Sequence, residues 1–116
     1  MLPYKELTVW KKSFSLTIKI YAITKLLPEE EKFGLVSQMR RCAVSIPSNI
    51  AEGNKRVLSK NYAAFLRISH GSGAELETQL LLVQELNLSK KELITEALQE
   101  LDEIMRMLDV MIKKCN

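Results

Sequence analysis

The apolar residues of this chain recur every three or four positions in four successive stretches, the spacing of amphipathic helices. The first stretch runs from about Lys5 to Leu27 and stops at Pro28, whose ring disfavours helical geometry in the residue before it. The second opens in the acidic turn Glu29-Glu30-Glu31, which suits the positive end of a helix dipole. It runs to about Glu52, with Gly53-Asn54 as its stop. Ser59 is placed to cap the third, which reaches Glu85 or Leu86. Ser89-Lys90-Lys91-Glu92 spells a capping box, and the fourth stretch continues to about Lys113. No run reads as a strand, and the connections are short. The pattern therefore predicts one all-α domain over residues 1–116, an antiparallel up-and-down four-helix bundle. Pro47 falls inside the second helix, where it removes an N–H and crowds the carbonyl of Ala43, so a kink is expected between Ser45 and Pro47.

The fourth helix has a single apolar stripe, Leu93, Ala97, Leu101, Ile104, Leu108, Met111 and Cys115. The first helix has two. Leu7, Trp10, Phe14, Ile18 and Tyr21 form one, and Val9, Leu16, Ile20, Ile23 and Leu27 form the other, on nearly opposite sides. The third helix is similar, with Ala64, Ile68, Leu82 and Leu86 outside its main face. A small bundle offers a core to one side only. The second stripe of the first helix, Val9, Leu16, Ile20, Ile23 and Leu27, is therefore expected to form the interface of a homo-oligomer. In the third helix Gly71 and Gly73 lie in a run of small residues that favours close packing.

With 116 residues and a hydrophobic share of 47%, the chain has enough for one core and is too apolar to be disordered. No stretch is long and apolar enough to span a membrane, and Met1 to Glu6 does not resemble a signal peptide. Cys42 and Cys115 fall at apolar helical positions without CxxC spacing, so both are expected to be reduced core thiols, and the location cytoplasmic. The net charge is +3, and residues 1–27 hold five Lys against one Glu. Such a distribution suits nucleic acid, an acidic partner or solubility.

No catalytic or metal-binding motif is present, so no enzyme, cofactor or metal is expected. Glu75 and Glu77 are two apart on a helix and point apart, and the lone His70 has no second ligand at i+4 and is expected to be solvated. The remaining candidates are basic: Arg40 and Arg41 in the second helix, with Lys55 and Arg56 just after it. Guanidinium groups there suit phosphates, and the competing reading is that Arg40 or Arg41 pairs with Glu52 or Glu75. Lys5, Lys12 and Lys19, spaced by seven, are expected to be solvated.

The segments from Gln38 to Gly53 (QMRRCAVSIPSNIAEG) and from Gly71 to Leu80 (GSGAELETQL) resemble the bacterial four-helix-bundle family encoded in 23S rRNA intervening sequences. The Trp10 to Tyr21 stretch, the Pro28-Glu29-Glu30 turn and Phe33-Gly34-Leu35 fit it too. Cys42 and Gly73 depart from that pattern, which has alanine and a larger residue there. The resemblance implies an antiparallel bundle assembled as a ring-shaped homopentamer, and a kinship in fold with accessory proteins of diversity-generating retroelements. The partners implied are other copies of the chain, RNA (including rRNA) or DNA, and a nucleic-acid enzyme such as a reverse transcriptase.

Overall fold

The computed structural model describes residues 2–115. Four helices carry the chain: α1 (Thr8–Lys25), α2 (Ser37–Asn54), α3 (Tyr62–Glu85) and α4 (Lys91–Lys114), with no strand among the described residues. α1 packs against α2 and α4, and α3 packs against the same two. Thr17 reaches Ala43 and Thr24 reaches Arg40; Ile46 meets Ser69 and Cys42 meets Gln79; Lys12 meets Glu103 and Lys19 meets Glu100. Partner numbers fall along one helix as they rise along the other, so these neighbours run in opposite directions.

The core draws on all four helices, with Leu16, Ile20, Met39, Ile46, Ile50, Leu66, Leu76, Leu80, Ile94, Leu101 and Ile104 shut off from solvent. This corrects the reading of α1. Val9, Leu16, Ile20, Ile23 and Leu27 are all buried inside the protomer and cannot form an outer interface. What is left outside is the later part of the other stripe, Phe14, Ile18 and Tyr21, all exposed, while Leu7 and Trp10 are partly buried against the core. The physical reason is shape. The inner stripe is purely aliphatic and fills the narrow space between helices, whereas Trp10, Phe14 and Tyr21 are bulky and two of them carry polar groups that favour an accessible position.

α2 starts later than its sequence suggests. Glu29–Glu31 forms a separate 3-10 turn, closed by a bond from the Glu31 N–H to the Pro28 carbonyl, and an irregular wide turn over Lys32–Val36 follows, non-helical at Gly34. From Ser37 the helix runs without a break through Pro47. The Ala43 carbonyl that Pro47 leaves without its helical donor lies 3.0 Å from the Thr17 hydroxyl of α1, so the neighbouring helix supplies a donor there. That hydroxyl has one hydrogen and a second acceptor, the Ser13 carbonyl at 2.8 Å, which shares it. Gly53 does not end α2 as a left-handed cap; it is buried within the last turn.

Two expected caps are absent. The Ser59 hydroxyl accepts from the Asn61 N–H, and α3 begins three residues later, at Tyr62. Lys90 rather than Ser89 precedes α4, with no side-chain cap bond, so the capping box does not form. The third helix ends instead on Asn87, at a φ of 54°. The Leu88 N–H reaches the Val83 carbonyl and the Asn87 N–H reaches the Gln84 carbonyl, a Schellman turn in which asparagine takes the place usually held by glycine.

Candidate nucleic-acid interface

α2 positions all four candidate cations, and it separates them. Arg40 and Arg41 lie near its start; Lys55 and Arg56 lie just past its last turn. The helix between them holds the two pairs roughly 22 Å apart.

Arg40 is committed to the fold. Its Nε donates to Thr24 Oγ1 at 2.9 Å, its guanidinium lies 4.5 Å above the centre of the Tyr21 ring, and Thr24 is itself buried. The Thr24 hydroxyl in turn donates to the Ile20 carbonyl at 2.7 Å. Arg40 therefore ties α2 to the last turns of α1. Arg41, one residue on, points to solvent and has no ion pair among the described residues. Arg40→Ala is expected to lower the unfolding free energy by about 1–2 kcal/mol, and Arg41→Ala by less than about 0.5 kcal/mol, as read from urea midpoints.

The other pair is more accessible. Arg56 makes two bonds to Glu52 Oε1, at 2.9 and 3.2 Å, and lies over Phe65; Lys55 lies over Tyr4. Both remain exposed. The antiparallel bundle brings further cations to the same end, where α1 and α3 start and α2 and α4 finish. Lys5, Lys55, Arg56, Lys60, Arg67, Lys113 and Lys114 collect there against Glu6, Glu52 and Asp109. Apart from the bond of Arg56 to Glu52, none of these cations is held in an ion pair among the described residues. Lys60 and Lys114 line a cavity of about 460 Å³ with Val57, Ser59, Tyr62 and Cys115. Sequence reasoning missed this grouping because its members come from both ends and the middle of the chain.

The lysines spaced by seven are not all solvated. Lys12 meets Glu103 at 2.8 Å, and Lys19 meets Glu100 at 2.7 Å and also Glu96. The Glu100 and Glu96 carboxylates raise the pKa of Lys19. The folded state therefore holds that proton more tightly than the unfolded chain, and this stabilisation is lost as pH rises through the lysine range. Burial likewise raises the Cys42 thiol, which stays a neutral thiol near neutral pH; its Sγ accepts from Gln79 Nε2 and approaches Glu75 Oε2 at 3.8 Å. Cys115 is exposed, contrary to its expected place in the core, because it lies past the end of α4. His70 is half-buried rather than free, with Nε2 3.0 Å from Asp109 Oδ1. Glu75 is exposed and makes no ion pair among the described residues.

The second surface feature is apolar. Tyr4, Trp10, Phe14 and Ile18 face Val44, Pro47 and Ala51 across a groove of about 350 Å³ between α1 and α2. Phe14 is 47% exposed, Ile18 59% and Val44 41%, so large apolar side chains stand in water along both walls. The mixed character of the outer stripe was the available signal: tyrosine and tryptophan favour interfaces over cores. Among the described residues no helix is long and apolar enough to cross a membrane, and no cluster of three or more metal-ligating side chains occurs.

The chain is similar to a crystallised protein of unknown function from the S23 ribosomal protein family of Bacteroides thetaiotaomicron. The identity is 25%, with 91% of this chain and 99% of the other covered, at a TM-score of 0.84. No curated protein matches. The profile of the 23S rRNA-intervening sequence proteins matches residues 5–110, nearly the whole bundle, and the chain belongs to that family.

Proposed function

We infer that this protein is a non-enzymatic homo-oligomer that binds structured RNA or duplex DNA through the basic end of its bundle. The observation that carries this reading is the gathering of Lys55, Arg56, Lys60, Lys113 and Lys114 at one end, most of them without a carboxylate partner among the described residues. Phosphates neutralised there release counterions, so affinity depends steeply on salt. Self-association is supported by the uncovered Phe14–Ile18–Val44 face, and five is the copy number the family resemblance implies. Five copies of +3 give a ring of +15, a stronger attractor for a polyanion than one protomer. Arg40 drops out of the phosphate-binding set, because its guanidinium is held by Thr24 and Tyr21.

A second reading, a scaffold that docks a nucleic-acid enzyme, draws on the aromatic groove between α1 and α2. One experiment separates the two. Fluorescence anisotropy with structured RNA and with duplex DNA is run over a salt series, for the natural protein and for the triple variant Lys55→Glu, Arg56→Glu, Lys60→Glu. The expected result is binding near physiological salt with a steep salt slope. In the triple variant affinity falls at least tenfold, and the slope drops by roughly 0.7–0.9 for each phosphate that is no longer neutralised. Absence of binding by the natural protein at moderate salt would end the nucleic-acid reading and leave the scaffold.

A further inference from the structure

Three glycines lie within the long helices, and two have a reason inside the chain. A Cβ on Gly53 would come within 3.0 Å of the Phe65 Cβ, and one on Gly73 would run into Met105. Gly71 has no such reason: nothing lies within 4 Å of the place its Cβ would take. A glycine in mid-helix weakens the helix relative to alanine, so an open one stands out. Gly71 faces solvent in a stripe with Ala64, Ile68, Glu75, Thr78 and Leu82, spaced by four and three along α3. Ile68 and Leu82 are 51% and 46% exposed. The stripe is shallow at its centre and apolar towards both ends, a shape that receives a bulky side chain from outside.

The chain carries a matching shape of its own. Phe14 and Ile18 project from α1 beside the groove against α2, equally uncovered. α2 packs against α1 on one flank and α3 on the other, so the two faces lie on different sides of the molecule and do not overlap. Their charges are complementary. Of the four lysines of α1, Lys12 and Lys19 are paired with glutamates of α4, and Lys11 and Lys25 stand exposed and without an ion pair among the described residues near Phe14 and Tyr21. α3 carries three glutamates against one arginine, and Glu75 sits within the stripe.

We propose that the α3 stripe centred on Gly71 is the receiving half of the contact between copies, and that Phe14 and Ile18 of the next copy dock onto it. This rests on the self-association reading above and names its two surfaces. Because the faces differ, the contact is head-to-tail: each copy gives one face to one neighbour and the other face to a second. A two-fold dimer would instead place the same face on both sides.

The test uses two variants, each blocking one face: Phe14→Glu on α1 and Gly71→Gln on α3, with Ile68→Glu as a second block of the α3 stripe. Helicity by circular dichroism checks that each folds, and light scattering gives its mass. Each variant alone is expected to be a monomer. Mixed in equal amounts, Phe14→Glu and Gly71→Gln are expected to form a two-chain complex and nothing larger, since each retains the face the other lacks. If Phe14→Glu dissociates while both α3 variants assemble like the natural protein, the α3 stripe is not the receiving face and the proposal is overturned, with self-association intact. A mixture that stays monomeric also overturns it. A natural protein that is monomeric at micromolar concentration removes the self-association reading itself, and this contact with it.

Discussion

Ile20→Ala is expected to lower the unfolding free energy by about 3–4 kcal/mol, whereas Ile18→Ala is expected to change that of the protomer by less than about 0.5 kcal/mol. The residues are two apart on the same helix and chemically identical. Ile20 is wholly buried among side chains of the bundle core, so its truncation strips apolar packing and leaves a cavity that close-packed neighbours fill only in part. Ile18 is 59% exposed, and its truncation opens no void. Urea unfolding with mass recorded at each protein concentration checks the pair. Equal losses would mean that both stripes of α1 are packed within one protomer. The reverse order would restore the sequence reading, with Val9, Leu16, Ile20, Ile23 and Leu27 facing outward.

Gly53→Val is expected to cost about 2–3 kcal/mol even though glycine is a poor helix former. The added Cβ would meet Phe65 Cβ at 3.0 Å and Tyr62 Cδ1 at 3.2 Å, with the Tyr62 carbonyl at 3.5 Å. Phe65 Cβ is fixed to the backbone of α3 and has no rotamer to move into, so the start of α3 must shift away from the end of α2. That shift would also disturb the loop that carries Lys55, Arg56 and Lys60. Gly71→Ala, placed in the Phe14→Glu background to keep the protein monomeric, is expected to act in the opposite direction, with a gain of about 0.5–1 kcal/mol, because its Cβ enters open space. Thermal melts of the two variants against their own parents test both signs.

These two glycines show how far the sequence could be read. Gly53 was expected to stop a helix and Gly71 to be closely packed; instead Gly53 lies within α2 pressed against α3, and Gly71 faces water. The same holds for the arginines. Arg40 and Arg41 are adjacent and alike in sequence, yet one is held by Thr24 and Tyr21 while the other is free of ion pairs among the described residues. The difference is the side of α2 on which each falls, and that depends on where α1 lies. Pro47 makes a similar point. That it frees the Ala43 carbonyl was legible, but the helix runs through it without a break, and the Thr17 hydroxyl that serves that carbonyl belongs to a different helix. The caps were overread for the opposite reason. Ser59 and Ser89 are good local signals, but turn hydrogen bonds at Ser59 and an extended Lys90 set the helix starts instead.

By itself the sequence determined that there are four helices, roughly where they lie, and that their apolar faces pack into one bundle. Each of those properties follows from spacing along the chain, through the helical period and the restrictions of proline, and spacing is local. Tertiary structure alone decided which stripe of α1 enters the core, which glycine is crowded, and which cations stand together. The first two depend on shape: aliphatic side chains fill the narrow interior while Phe14 and Tyr21 are left outside. The third depends on direction. Reversing each helix against its neighbour brings Lys5, the Lys55–Lys60 loop and Lys113-Lys114 to one end while holding Arg40 and Arg41 at the other.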